Sequence, residues 1–435
     1  MLELGYLSFP ILLVLIFLRA PIGLAMMLCG LGGLYLAMGG PNMFMAKLKS
    51  ETYSTFSSYS LTIIPMFLLM GQFATLSGMS SSLFKAAESW LGHRKGGVAM
   101  ASVGACAGFG AICGSSLATA ATMSRVALPE LRQYGYAGGF STATLAAGGT
   151  LGILIPPSVI LVIYAILTEQ NIAKLFLAAF VPGILAAMGY ILTISIYVRV
   201  NPKAAGTRAP VPYSARIRAL LDVWPVLLVF GLVVGGIYLG WFTPTEGAAV
   251  GAAGTGVIAL ISGNLGWKVF FESIIATAMS TAMIFFIVLG AGFYNSFLAL
   301  SQVPQELAGW IVGLGLSPWT VLVIILAFYL VFGCLMDSLS MILLTIPIFF
   351  PIISVLDFGM SPEHVAIWFG ILVLIVVEVG LITPPVGMNL FIINAMDRTT
   401  PMSETYRAVM WFVTSDLLRV ALLLAFPAIT LFLIP

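Results

Sequence analysis

The sequence predicts an all-α polytopic membrane protein made of two inverted repeats, each with about five transmembrane helices plus one re-entrant helical hairpin. Three observations carry the prediction. First, 60% of the 435 residues are hydrophobic and only 8% are charged, against roughly 25% charged in soluble domains. Folded in water, such a chain could not cover its surface with polar groups. Second, the apolar runs are long and continuous, as bilayer-spanning helices require, with none of the period-2 alternation of a transmembrane barrel. Third, one series of unusual features occurs twice, on either side of a basic stretch. The composition excludes a soluble enzyme, a nucleic-acid binder and a disordered chain. A net charge of +2 points to no polyanionic partner.

The expected segments follow in order. In the first half they lie near 5–18, 22–39, 61–77, 97–131, 137–168 and 175–198. Glu3 precedes the first run and no basic cluster does, so the run reads as a retained span rather than a cleaved signal. A linker follows at 201–218. It holds Lys203, Arg208, Arg216 and Arg218, no acid, and Pro202, Pro210 and Pro212. The pattern then restarts at 222–240, 245–263, 273–297, 318–354, 365–395 and 405–433. The chain therefore divides into a first repeat (1–200), a cytoplasmic basic linker (201–218) and a second repeat (219–435). The stretches around Leu83–Leu91 and Leu307–Leu314 carry apolar stripes at helical spacing and read as amphipathic arms.

The fourth and fifth segments of each half are the informative ones. Residues 97–131 are too long for one span, and each half alone is too short. About 15 helical residues reach roughly 22 Å, less than a hydrocarbon core of about 30 Å. The run breaks at Gly114-Ser115-Ser116, and 318–354 breaks likewise at Gly333 to Ser338. Both read as re-entrant hairpins. The fifth segments, 137–168 and 365–395, contain Gly-x-x-x-Pro-Pro elements, Gly152 to Pro157 and Gly380 to Pro385. A proline pair removes two backbone donors and disfavours helix before it.

Charge sets the expected orientation. Five full spans per half is an odd number, so the halves are inverted. With the linker in the cytoplasm, fourteen Lys and Arg residues fall inside and three (Lys47, Lys49 and Lys174) outside. All eight tryptophans lie near segment ends or on the arms, as an aromatic belt requires. Cys29, Cys106, Cys113 and Cys334 read as small buried residues. His93 and His364 read as interfacial.

Inverted repeats with broken helices are the architecture of secondary transporters. A mid-membrane break frees carbonyls that can replace water around a cation, and half-helix N-termini that suit an anion. The residues therefore suggest two cation sites, one per repeat, with an anionic substrate between the tips. Gly114, Ser115, Ser116, Asp337 and Ser338 are the candidate substrate-binding residues. Asp337 supplies formal charge at a depth where charge is costly and usually functional. Glu378, two residues before the second break, is a candidate for orienting it or binding protons. Asp416 and Arg419 are spaced to pair on one helix face. Arg125 is read as reaching the cytoplasmic interface, with substrate-anion binding as the other role open to it. No G-x-x-x-x-G-K-[ST] element is present, so energy must come from an ion gradient or another subunit.

The run Gly110-Ala-Ile-Cys-Gly-Ser-Ser-Leu-Ala-Thr, the element Gly152-Ile-Leu-Ile-Pro-Pro-Ser and the element Gly380-Leu-Ile-Thr-Pro-Pro-Val-Gly-Met-Asn resemble the large membrane subunit (DctM-like, M subunit) of tripartite ATP-independent periplasmic (TRAP) transporters. The resemblance spans essentially the whole chain. It implies an elevator-type transporter of ion-transporter-superfamily architecture in the bacterial inner membrane. It further implies a separate small four-helix membrane subunit (Q), a periplasmic substrate-binding protein (P), and Na⁺-coupled import of a small organic acid such as a C4-dicarboxylate or sialic acid. Na⁺ would be the coupling ion, with no organic cofactor and no nucleic-acid partner. The family's sodium sites would fall on Ser115, Ser116, Gly152, Ile155 and Pro157, and on Gly333, Met336, Asp337, Gly380, Thr383 and Val386, mostly through backbone carbonyls. The competing expectation is a stand-alone divalent-anion/Na⁺ symporter that needs no binding protein. The loops at 40–60 and 355–364 are candidate docking segments for the binding protein.

Overall fold

The computed structural model describes residues 2–38 and 41–434, so Met1, Gly39, Gly40 and Pro435, which the expected segments and loops include, lie outside the described residues. The described chain is helical throughout and carries no strand. Leu2–Phe17, Ile22–Met38 and Ile63–Leu76 are the first three apolar helices. The first hairpin is Gly97–Cys113 returning as Ser116–Gln133, and the first broken helix is Gly138–Leu154 with Val159–Thr168. Ile172–Val200 closes the first half. In the second half, Pro244–Ile261 and Trp267–Ser301 are followed by the second hairpin, Pro318–Gly333 with Ser338–Ser354. The second broken helix is Pro362–Gly380 with Met388–Met396, and Met402–Ala425 is the last long helix. Among the described residues six helices, or up to eight counting bent pairs, are long and apolar enough to cross a membrane.

Two expected loops are partly helical. The segment taken as a 40–60 loop forms the helix Pro41–Ser57, bent by 53° against the next span. The basic linker opens with a 3-10 turn, Pro202–Ala204, and is without regular structure over 205–212. Its end is already inside the helix Tyr213–Leu221, with Arg216 Nε donating to Val211 O at 2.9 Å and the guanidinium 4.9 Å from the Tyr213 ring. The linker's prolines end at 212, so nothing in its remaining residues opposes a helix.

The helices sort into two packed groups. Trp267–Ser301 lies along Ile22–Met38, and Pro244–Ile261 along Ile63–Leu76. The first of these contacts is close because Gly23 and Gly30 present no side chain. A Cβ on Gly30 would lie 2.5 Å from the backbone of Phe293 and Tyr294, the small-residue packing of membrane helices. The second group holds both hairpins and both broken helices. Here the packing crosses between halves: the return arm of the first hairpin touches Met388–Met396, and that of the second touches Val159–Thr168. Pro362–Gly380 lies at the centre of this group. In its apolar stretch 89% of the residues are buried, against 33% to 44% in the other five long apolar helices, so those five present much of their surface to lipid. The amphipathic arms, Met79–Leu91 and Val303–Gly313, pack against the first and second hairpins respectively.

Candidate functional site

The first tip is a two-residue connection. Gly114 ends the outgoing arm at φ +64°, a conformation that glycine adopts freely. Ser115 then caps the return arm, its hydroxyl accepting from Ala118 N at 3.4 Å. The facing break packs directly onto this tip. A Cβ on Gly114 would sit 3.1 Å from the Pro157 carbonyl, and one on Gly152 would sit 2.8 Å from the Ser115 carbonyl and strike the Thr119 hydroxyl. Ile155 is extended and ends the helix before the proline pair. The structure thus brings Gly114, Ser115, Gly152 and Pro157 together, with the carbonyls of Ser115 and Pro157 among them.

The second tip is longer, Cys334 to Asp337. Asp337 caps the return arm with both oxygens, accepting from Ser340 N at 3.0 Å and from Ser340 Oγ at 2.6 Å. Its charge therefore sits at a helix N-terminus, where the dipole favours it. The facing break is again in contact: Gly387 N donates to Cys334 O at 3.3 Å, and Gly380 packs against the backbone of Gly333. Met336 closes a turn on Phe332 O, and Thr383 donates its hydroxyl to Val379 O at 2.6 Å. Both Pro-Pro bonds, Pro156-Pro157 and Pro384-Pro385, are cis.

Four contacts go beyond the sequence reading. Ser338 donates its hydroxyl to Glu378 Oε1 at 2.6 Å, so its proton is not free for a substrate carboxylate. Glu378 itself is buried and also faces the Ser116 hydroxyl of the other hairpin. Tyr406 donates to Pro385 O at 2.7 Å, which tethers the second break to the last long helix. Asn389, fully buried, donates to Ala146 O and so stitches the second break to the first broken helix. Asn389 closes the quoted Pro-Pro-Val-Gly-Met-Asn run, yet nothing in the spacing assigns it a partner.

Among the described residues there is no group of three His, Cys, Asp or Glu that could hold a metal ion. The oxygens that converge are carbonyls and hydroxyls, a donor set for hard monovalent or alkaline-earth cations rather than for zinc or copper. Asp416 and Arg419 do pair, at 3.0 Å, with Tyr190 donating to Asp416 at 2.8 Å and its oxygen 2.9 Å from the Thr150 hydroxyl. Arg125 is exposed. At the rim of the core, Arg132 pairs with the buried Asp397 and joins the first hairpin to the end of the second broken helix. Burial opposes ionisation of Asp397. The hydrogen bonds of Thr399 and Thr400 and the Arg132 guanidinium outweigh it and hold the carboxyl below the ordinary aspartate range.

The model of the family described as "Tripartite ATP-independent periplasmic transporter, DctM component" matches residues 9–429. The chain belongs to this family. It is therefore the large membrane component of a TRAP transporter, a multi-pass membrane protein and not an enzyme. The DctM-family chain is 37% identical over 404 residues to the C4-dicarboxylate TRAP transporter large permease protein DctM of Pseudomonas aeruginosa, covering 92% of each. It is 29% identical over 430 residues to the sialic acid TRAP transporter permease protein SiaT of Haemophilus influenzae, covering 98% of this chain and 68% of that one. It is 30% identical over 383 residues to the ectoine/5-hydroxyectoine large permease protein UehC of Ruegeria pomeroyi, covering 86% of each. In fold it resembles the Alcanivorax borkumensis YdaH transporter, with a TM-score of 0.65 at 15% identity over 89% of this chain and 90% of that one.

Proposed function

We propose that this DctM-family subunit carries a small organic acid inward across the bacterial inner membrane, driven by Na⁺ and supplied by a periplasmic binding protein, in complex with a small four-helix membrane subunit. The observation that carries the reading is the pairing of each hairpin tip with the proline-pair break of its own half. Each pairing sets backbone carbonyls beside a half-helix N-terminus. Carbonyls freed by a break replace the water shell of a cation, and N-termini attract an anion. In this reading Na⁺ is a co-substrate. One ion is held around Ser115, Ser116, Gly152, Ile155 and Pro157, the other around Gly333, Met336, Asp337, Gly380, Thr383 and Val386. The substrate's acid group lies between the tips, against Gly114 and the free hydroxyl and N–H groups of the first return arm. C4-dicarboxylates, sialic acid and ectoine, named for the relatives, all carry a carboxylate, which supports an organic acid as the substrate class.

Transport on this reading is an elevator movement with the two repeats inverted. The hairpins and broken helices travel as one body against the scaffold of Ile22–Met38, Ile63–Leu76, Pro244–Ile261 and Trp267–Ser301. The cross-half packing and the Asn389 stitch support one moving body, because no half can shift without the other.

The test is uptake of radiolabelled organic acids into proteoliposomes containing this chain and its small subunit, with and without a Na⁺ gradient and with and without the binding protein. Uptake that needs both establishes the tripartite Na⁺ symporter. Uptake driven by Na⁺ without any binding protein overturns the tripartite reading in favour of a stand-alone symporter.

A further inference from the structure

Glu378 lies in the last turn of Pro362–Gly380, the most enclosed long helix of the molecule, and is 1% exposed. A carboxyl so placed is costly unless its partners are fixed. Its partners are the equivalent residues of the two hairpins. Ser116 and Ser338 are each the first residue of a return arm. Ser338 donates to Oε1 at 2.6 Å, and the Ser116 hydroxyl lies against the same carboxyl. Oε2 is buried without a hydrogen-bond partner, so the carboxyl keeps an unused position. One side chain thus touches both tips at matched positions.

A hydroxyl has one proton and two lone pairs. If Ser116 gives a lone pair to a cation, its proton remains for Glu378, and coordination strengthens that donation. A carboxyl held firmly by Ser116 in turn fixes the Ser338 hydroxyl and the start of the second return arm. We propose that Glu378 is a positioning residue that makes the two cation sites cooperative, by transmitting occupancy of the first tip to the second. The inference rests on the two-site Na⁺ reading above. Because coupling free energy is reciprocal, an ion at either site raises affinity at the other.

The test is Na⁺ titration of substrate uptake by the reconstituted complex, reading the Hill coefficient and the half-saturating Na⁺ concentration for wild type, Glu378→Leu, Glu378→Gln and Ser338→Ala. Wild type is expected to show a Hill coefficient above 1. Glu378→Leu brings it towards 1 and raises half-saturating Na⁺ by about tenfold, the order expected from losing one buried hydrogen bond. Glu378→Gln keeps the coefficient above 1, since the amide still accepts at oxygen and donates at nitrogen. Ser338→Ala lowers the coefficient as Glu378→Leu does, and decides the matter if the leucine variant does not insert. A role confined to packing would lower maximal uptake and leave the coefficient alone. An unchanged coefficient and half-saturation in an inserted Glu378→Leu or in Ser338→Ala overturns the inference, as does a wild-type coefficient of 1. Wild-type uptake indifferent to Na⁺ overturns the functional reading itself, which keeps the two failures distinct.

Discussion

The two hairpin tips solve one geometric problem with different chemistry. The first is closed in two residues by a glycine at positive φ and a neutral serine cap whose bond is long, 3.4 Å. The second takes four residues and is capped by a carboxylate with two short bonds to Ser340. Each has glycines that cannot gain a methyl, but in different number. In the first half both partners are tight, Gly110 on the hairpin against the backbone of Gly152, and Gly152 on the broken helix against the Ser115 carbonyl. In the second only the broken helix is, Gly380 against the backbone of Gly333. Close approach of hairpin to break is what the fold preserves. Whether one or both partners of the contact surrender a side chain, and whether the cap is charged, is free to differ.

The largest effect expected from breaking this comparison is at the glycines. Gly110→Ala and Gly380→Ala set a methyl into backbone that cannot yield, at a cost of about 1–3 kcal/mol, and should lower the melting temperature and abolish uptake. Gly333→Ala, whose added atom has 3.3 Å to the nearest neighbour, should be far milder. Equal damage at Gly333 and Gly380 would show that the asymmetry is not real. Next, Ser115→Leu should insert normally yet block uptake, since the side chain would fill the tip; normal uptake would move the site elsewhere.

The caps come third. Asp337→Ala removes charge and cap together, so it should cost about 1 kcal/mol of stability and weaken the Na⁺ dependence of uptake. Asp337→Asn keeps a capping oxygen, and should restore the melting temperature without restoring the Na⁺ response. If both variants titrate Na⁺ like wild type, the charge of the second tip has no part in ion binding. The smallest effect concerns the rim. Asp397 is held below the ordinary aspartate range, so the stability that it contributes is present above that range and is lost as pH falls through its lowered value. Asp397→Asn should lower the melting temperature near neutrality, and the gap to wild type should close below about pH 4. A gap independent of pH would assign the effect to packing instead.

Much of this was legible in the chain itself. Composition and run length determined a polytopic helical membrane protein, because 8% charge cannot clothe such a surface in water. The breaks were legible because proline lacks an N–H and glycine tolerates positive φ wherever they stand. Their local geometry, the cap at Ser115 and the stop at Ile155 therefore followed from residue type and spacing. The helix Pro41–Ser57 was not legible, since its mixed polar composition lacks the apolar periodicity that marks a span. Nor could spacing say that Ser338 bonds Glu378 rather than a substrate, that Asn389 reaches Ala146, or that Tyr406 holds the second break. These partners are separated by 21 to 243 positions in the chain, and hydrogen bonding is short-ranged. Only the packing of one half across the other decides which polar groups meet, and hence which buried oxygens are already engaged and which are left for an ion.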